Sequence, residues 1–253
     1  METTTDFSLN TIYNEDCISG MSRIPESSVD CIICDPPYGQ TNCEWDTPIP
    51  LTEMWEQYGR VLKENGAVLI FANEPFASRL RLSKPEWYKY DLYWQKERPT
   101  NFFQLKRRFG KTIENICVFY RKQPTYHPQM VEHIGKPVTN KTEKSHNSIL
   151  SGKGGKITEY TDNGYRYPNE LLRFNRENLR TLLHPTQKPV ELIRYLLRTF
   201  TDKGDVVLDN CIGSGTTAVA CLREGRRFIG FETDEEYYDI SMKRIADETQ
   251  LNT

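Results

Sequence analysis

Histidine is scarce in this sequence, with four among 253 residues, and no grouping of cysteine and histidine has the spacing of metal ligands. The seven cysteines are odd in number and scattered, and several stand within apolar runs. Cys31 and Cys34 form a C-x-x-C, but three positions along a strand place two side chains on opposite faces. We therefore interpret them as packing residues rather than a zinc or redox pair, and we predict no metal.

Long apolar runs are also missing. None approaches the roughly 20 residues that a membrane span requires, and residues 1–10 are polar and lack the apolar core of a signal peptide. We therefore expect a cytoplasmic protein that makes no use of a membrane. A chain of 253 residues can bury one well-developed core and carry a smaller appendage.

The chain has no net positive charge, but its lysines and arginines are concentrated in one segment. The net charge is −2, yet residues 95–156 contain thirteen lysines and arginines against four glutamates, which gives this segment +9 and leaves −11 for the rest. Such an asymmetry can hold nucleic acid on one face. The alternative is a solvated loop region that is rich in lysine.

The most informative stretch is residues 29–39. Its first six residues are apolar except for Asp30 and are partly β-branched; they predict a buried strand, which Asp35-Pro36-Pro37-Tyr38 ends abruptly. The carboxyl end of this core strand then carries the Asp35 carboxylate, the rigid backbone carbonyl of Pro36 and the Tyr38 ring. Ligands bind at this end of the strands in open α/β sheets. Asp35 and the Pro36 carbonyl can each accept one N–H of an exocyclic amino group, and Tyr38 can stack on its ring. The alternative is a strand-ending turn with an incidental aspartate.

Asp35-Pro36-Pro37-Tyr38 resembles the catalytic motif of the amino-group DNA methyltransferases, which methylate adenine N6 or cytosine N4 from S-adenosylmethionine. The resemblance makes these four residues catalytic and implies double-stranded DNA as the substrate. It also places Asp16, which follows a short strand, near the adenine of the cofactor. As an alternative, Asp16 caps a helix that begins at Cys17.

A second motif predicts the cofactor site. The strand Val206 to Asp209 leads through Gly213-Ser214-Gly215 into a helix, and the next strand ends at Glu232. The glycines allow a tight turn close to a ligand, and Glu232 is suited to bind two ribose hydroxyls. A dinucleotide site stays open, because Ala218 stands where the looser dinucleotide fingerprint allows alanine.

The segment His184-Pro-Thr-Gln-Lys-Pro189 opens a predicted helix from Val190, as it does in the family. The resemblance places Thr186 and Lys188 near the methionine end of the cofactor, where Lys188 can pair with its carboxylate. Asn210-Cys211 departs from the Pro-Phe of many members, which affects the local packing of the pocket. The predicted cofactor-binding residues are Asp16, Thr186, Lys188, Asp209, Gly213, Gly215, Thr216 and Glu232.

Between two predicted strands, residues 98–111 combine three successive cations with Phe102, Phe103 and Phe109, a mixture suited to phosphate contact and base stacking. The alternative is a helix with a charged outer face. Lys96 matches a Trp-x-Lys common in the family. The predicted DNA-binding residues are Lys96, Arg98, Lys106, Arg107, Arg108 and Lys111.

Three regions follow from this order. Residues 1–120 form the catalytic half of a methyltransferase domain, 121–183 a loop-rich target-recognition insertion, and 184–253 the cofactor half of the same domain. This permuted order is that of the family's beta class. We predict an α/β, Rossmann-like S-adenosylmethionine-dependent methyltransferase fold, with a seven-stranded mixed sheet, helices on both faces, and neighbouring strands ended by Asp35 and Asp209. A helix from Leu51 is predicted to end at Asn65-Gly66.

The resulting hypothesis is a site-specific DNA methyltransferase that flips an adenine out of the duplex and methylates N6. The alternatives are cytosine N4, an RNA or protein-amide substrate, a catalytically inactive DNA-binding module, and a dinucleotide-dependent oxidoreductase. A homodimer also stays open, because members of the family are often dimers.

Overall fold

The chain forms an α/β protein in this computed structural model, which describes residues 7–39, 47–132, 139–140, 160–161, 164–177 and 187–251. It divides into two units, one made of Met1–His127 with Glu170–Thr253 and the other of Pro128–Asn169. The strands are β1 Thr11–Tyr13, β2 Val29–Cys34, β3 Leu62–Ala72, β4 Tyr88–Gln95, β5 Ile113–Tyr120, β6 Val131–Glu132, β7 Thr139–Asn140, β8 Tyr160–Thr161, β9 Tyr165–Arg166, β10 Leu171–Arg173, β11 Val206–Asp209 and β12 Arg227–Phe231. The helices are α1 Cys17–Met21, α2 Leu51–Val61, α3 Phe76–Ser83, α4 Val190–Phe200, α5 Thr216–Glu224 and α6 Glu235–Leu251.

The first unit is built on one mixed sheet whose strand order is β1-β12-β11-β2-β3-β5-β4-β10. Only β5 runs antiparallel to its neighbours β3 and β4. The predicted fold class is confirmed, with eight strands in the described part of this sheet instead of seven. The additional strand is β10, which pairs with β4 in parallel and takes the edge position. Its three residues are too few to give a recognisable periodic pattern in the sequence.

Helices cover both faces of the sheet. The α1, α2 and α3 residues Met21, Met54 and Leu80 pack with Cys34 in one buried cluster. Apolar residues of α4 and α5 pack with Cys31 in the other. Cys31 and Cys34 are both fully buried and lie on opposite faces, as the three-residue spacing predicts.

The boundary between α2 and β3 differs from the prediction. The helix ends at Val61, and Asn65-Gly66 lies inside β3, not at a helix terminus. A Cβ on Gly66 would stand 2.9 Å from the Asp30 carbonyl oxygen and 2.6 Å from a methyl of Leu62. The glycine therefore permits a close approach between strands and does not stop a helix.

The second unit contains two short antiparallel ladders, β6 with β9 and β7 with β8. In the described part of the chain, no helix is both long and apolar enough to cross a membrane.

Candidate active site

A cavity of about 540 Å³ opens at the carboxyl edge of two neighbouring strands. β2 and β11 pair in parallel, with Val207 opposite Cys31 and Leu208 opposite Ile32, so the predicted adjacency is confirmed. Parallel neighbours end at the same edge, and for that reason the turns after them face one space. The cavity wall includes all four residues of the Asp-Pro-Pro-Tyr motif, together with Asp209, Gly213 and Glu232.

Both oxygens of the Asp35 carboxylate already have donors. The Tyr38 hydroxyl donates to Oδ1 at 2.6 Å, and the ammonium of Lys188 donates to Oδ2. The Tyr38 ring stacks on Phe76, with ring centres 5.0 Å apart, which fixes the plane of the tyrosine ring. An amino group that reaches Asp35 therefore either uses a lone pair that these two donors leave open or takes the place of one of them.

Glu114, on β5, links the catalytic motif to two lysines. The residue is 3% exposed, and its carboxylate accepts from Lys96 Nζ and from Lys188 Nζ at 3.2 Å. The Tyr38 hydroxyl oxygen, whose proton is directed mainly at Asp35, lies 3.4 Å from it. Together, Asp35, Lys188, Glu114 and Lys96 form an alternating chain of charges, which we call the carboxylate–lysine network. The sequence analysis did not identify Glu114. The signal that was present is an acid near the start of a mostly apolar strand.

Burial and charge oppose each other in this network. Burial raises the pKa of Asp35, and the ammonium of Lys188 partly offsets that rise. For Glu114, burial would also raise the pKa, but the charges of Lys188 and Lys96 outweigh it and lower the pKa to about 2. Burial alone would lower the pKa of Lys188, yet Asp35 and Glu114 raise it overall, so its side chain is an ammonium at neutral pH.

The glycine turn after β11 has the geometry of a ligand cradle. Gly213 and Gly215 have φ of 53° and 81°, the left-handed region that favours glycine. The Glu232 carboxylate accepts the backbone N–H of Gly213 at 2.8 Å and that of Asp234 at 2.9 Å. Burial raises the pKa of Glu232. The turn thus presents backbone and an anchored carboxylate to the cavity, and these groups suit a nucleoside-like cofactor.

The floor of the cavity beneath this turn is polar and satisfied. Asp209 accepts from the Thr217 hydroxyl at 2.5 Å and from the backbone N–H of Cys211 at 3.1 Å, and burial raises its pKa to about 7. Asn210, which departs from the family's proline, is buried and accepts from the Tyr58 hydroxyl at 2.6 Å. The departure at this position is therefore supported by a partner on α2.

Other predicted site residues are placed as follows. Asp16 caps α1 by accepting from the backbone N–H of Ser19 at 2.9 Å, and it also lines the cavity, so it fits both roles considered for it. Thr216, the first residue of α5, lines the cavity too. Lys188 lines it while bound to Asp35 and Glu114. Thr186 lies outside the described residues.

The predicted DNA-binding residues divide into two sets. Lys96 is mostly buried against Glu114 and points into the carboxylate–lysine network. Lys111 is half-buried, whereas the remaining four are exposed on the loop that joins β4 to β5: Arg98, Lys106, Arg107 and Arg108. Within the described residues, no group of three or more His, Cys, Asp or Glu side chains is arranged to hold a metal ion.

Comparison with known proteins is consistent with this site. The model of a DNA methylase family, that of the N6 and N4 methyltransferases, matches residues 29–243. The DNA adenine methyltransferase YhdJ of Escherichia coli (strain K12) is 27% identical, over 93% of this chain and 82% of its own length. The type II methyltransferase M1.MboII of Moraxella bovis is 29% identical, over 90% of this chain and 94% of its own.

Among solved structures, the complex of M1.HpyAVI with S-adenosylmethionine superposes on this chain with a TM-score of 0.62 and 25% sequence identity. The superposition covers 93% of this chain and 98% of that one. The likeness therefore extends over both the catalytic and the cofactor regions.

Proposed function

The chain belongs to the DNA methylase family of N6 and N4 methyltransferases, and from this premise we propose that it methylates the N6 amino group of adenine in duplex DNA. As a member of this family it uses S-adenosylmethionine. The observation that carries the proposal is the shared cavity, because one space is lined both by the Asp35–Tyr38 turn and by the turn that contains Gly213.

The residues of the glycine turn fit S-adenosylmethionine. Gly213 lines the cavity, and Glu232 is held by two backbone N–H groups with its carboxylate at the cavity. Gly215 is not among the lining residues; it packs closely against Ser241 of α6 and supports the turn. Glu232 is assigned to the ribose hydroxyls and Asp16 to the adenine. The cofactor, when bound, supplies an electrophilic methyl group on its sulfonium. Lys188 is assigned to the methionine carboxylate. In this role its ammonium either binds Asp35 and the cofactor together or moves away from Asp35.

The catalytic turn supports recognition of a planar amino group. Asp35 Oδ1 and the Pro36 carbonyl are assigned as acceptors for the two N–H groups of the base, and they draw its nitrogen lone pair out of conjugation with the ring. Tyr38, whose ring plane is fixed by Phe76, is assigned to stack on the extruded base. The contribution of these residues is positioning and electrostatics.

The choice of adenine rests on residue 35. In the resemblance to the family, aspartate rather than serine at this position favours adenine. YhdJ, a relative over most of the chain, is named an adenine methyltransferase. Cytosine N4 is the second candidate, because the matching family includes both amino groups. The oxidoreductase considered from the glycine turn is set aside on the family match.

DNA binding is assigned to the exposed cations Arg98, Lys106, Arg107 and Arg108, with Lys111 at their base. Base reading is assigned to residues 121–183. The predicted contribution of Lys96 is indirect, through Glu114.

The test is transfer of labelled methyl groups from S-adenosylmethionine to DNA, followed by nucleoside analysis. Wild-type protein is expected to produce N6-methyladenine. Asp35→Asn, which keeps the shape of the side chain, is expected to lower the rate at least about 100-fold with little change in cofactor affinity by calorimetry. Tyr38→Phe, which keeps the ring, should stay within about 10-fold of wild type, whereas Tyr38→Ala should lose at least about 100-fold.

Three results would contradict the proposal. N4-methylcytosine as the product would identify the second candidate. Unchanged transfer by Asp35→Asn would remove the assignment of Asp35. Failure of the wild-type protein to bind S-adenosylmethionine would indicate an inactive DNA-binding module.

A further inference from the structure

The loop joining β4 to β5 presents aromatic side chains to solvent. Phe103 is 100% exposed, Phe109 97% and Phe102 70%. We call residues 98–111 the aromatic loop. Large apolar side chains are seldom exposed to this extent as a group on a protein surface, and such a group marks an interaction site. The question is what covers them.

The aromatic loop is braced internally. The Asn101 side chain accepts from the backbone N–H of Lys111 at 2.6 Å and donates to the Phe109 carbonyl at 3.0 Å. A Cβ on Gly110 would stand 2.7 Å from Pro99, which shows how closely the two arms of the loop approach each other. The loop that carries the exposed rings is therefore already ordered. Less conformational entropy is lost when a partner binds to it.

The loop leaves the sheet at the edge that carries the catalytic turn. β4 runs parallel to β2 and β3, so its carboxyl end lies at the same edge as Asp35. Lys96 and Glu114 flank the loop at its two ends, and Glu114 contacts both Lys188 and the Tyr38 hydroxyl. A ligand that engages the loop is thus adjacent to the carboxylate–lysine network.

Charge selects the class of partner. Lys106, Arg107 and Arg108 stand in the loop between Phe103 and Phe109, and all three are exposed. Two copies of this loop would bring like charges together, whereas a phosphate backbone would neutralise them. The combination of exposed aromatic rings and cations fits a nucleic acid, because its bases can stack on the rings and its phosphates can bind the cations.

We propose that the aromatic loop is a wedge for duplex DNA, in which Phe103 and Phe109 enter the base stack and fill the space left by the extruded target nucleotide. The inference rests on the proposed function, because a base must leave the duplex to reach Asp35. Apolar side chains inserted between base steps stabilise a distorted duplex, and stacking on a base is worth about 1–3 kcal/mol.

The test compares two substrates that differ only at the target pair. Once modified-base sequencing of methylated DNA has identified the target, one duplex carries it fully paired and the other carries it opposite an abasic site. Phe103→Ala/Phe109→Ala is expected to methylate the paired duplex about 10- to 100-fold more slowly than wild type. On the abasic duplex the same variant is expected to stay within about threefold, because the target is already unpaired. Leu82→Ala is the matched control, since Leu82 is 78% exposed on α3, and it should match wild type on both substrates.

The outcomes separate this inference from the proposed function. Wild-type rates on the paired duplex for the double variant would overturn the wedge while leaving the methyltransferase assignment intact. An equal loss on both substrates would also overturn it, in favour of general DNA binding. A wild-type dimer that the double variant converts to monomer in sedimentation would assign the loop to a second copy of the chain. Absence of methylation by wild-type protein would overturn both proposals.

Discussion

Removing one charge from the carboxylate–lysine network gives the sharpest test of the site geometry. Glu114→Gln keeps the size of the side chain but removes the acceptor charge that faces Lys96 and Lys188. The network then holds two ammonium groups against the single carboxylate of Asp35. A buried charge that loses its partner destabilises a protein by about 3–5 kcal/mol.

The pKa of Glu114 gives a second route to the magnitude. The folded protein lowers this pKa from 4.5 to about 2, and a lowering of this size corresponds to about 3 kcal/mol. Because the folded pKa is depressed, the stabilisation is present above pH 4.5 and is lost as the pH falls towards 2. The difference in unfolding free energy between wild type and Glu114→Gln should therefore be about 3 kcal/mol at pH 7 and roughly half as large at pH 3.

The assay is urea denaturation of both proteins at pH 7, 5, 4 and 3, followed by tryptophan fluorescence. Glu56→Gln, an exposed position on α2, is the control and should stay within about 0.5 kcal/mol of wild type throughout. Lys96→Met/Glu114→Gln, which restores neutrality, should be less destabilised than the sum of its single substitutions. A loss below about 1 kcal/mol at pH 7, or one that does not change with pH, would refute the network described above.

Two further predictions concern the cofactor side of the cavity. Burial raises the pKa of Asp209 to about 7, so the contribution of Asp209 to stability should fall by about 3 kcal/mol as the pH rises from 4 to 7. The difference in unfolding free energy between wild type and Asp209→Asn in urea denaturation should change with pH by this amount, and a pH-independent difference would contradict it. Gly215→Ala would place a Cβ 2.9 Å from Ser241 Cβ, whereas Gly204→Ala, at a similar φ of 87°, meets open space. The first should be about 1–3 kcal/mol less stable than the second and should alone weaken S-adenosylmethionine binding in calorimetry, and equal effects of the two would refute the close approach.

Local sequence predicted the parts of the fold that local physics determines. The apolar run before Asp35 forms β2, and the run before Asp209 forms β11. The prediction that these two strands are neighbours came from the resemblance of the motif order to the family, joined to the rule that ligands bind at the carboxyl edge of the sheet, and β2 and β11 do pair. For Asp16 the sequence left two roles open, a contact to the adenine of the cofactor and, as the alternative, a helix cap; the hydrogen bond from the backbone N–H of Ser19 bears out the cap.

Long-range partners were not predictable in the same way. Lys188 was assigned to a cofactor carboxylate, and in the protein it lies on Asp35 and Glu114, which are remote from it in sequence. No local pattern states which acid a lysine will meet across a sheet. Gly66 shows the same limit. A glycine after an amphipathic helix predicts a helix end, whereas here a glycine is needed inside a strand because Leu62 and the Asp30 backbone leave no room for a side chain.

The position of β2 between β3 and β11 has a consequence for how the chain acquires its shape. Residue 31 finds its partner on one side at residue 67 but on the other only at residue 207. During synthesis the first half therefore emerges with one edge of β2 unpaired, and the free N–H and C=O groups of such an edge promote aggregation with other chains. Closing so long a loop carries a large entropic cost and slows folding. A separately translated second half that supplies β11 and β12 in trans should pair with the exposed edge of β2 and keep the first half from precipitating.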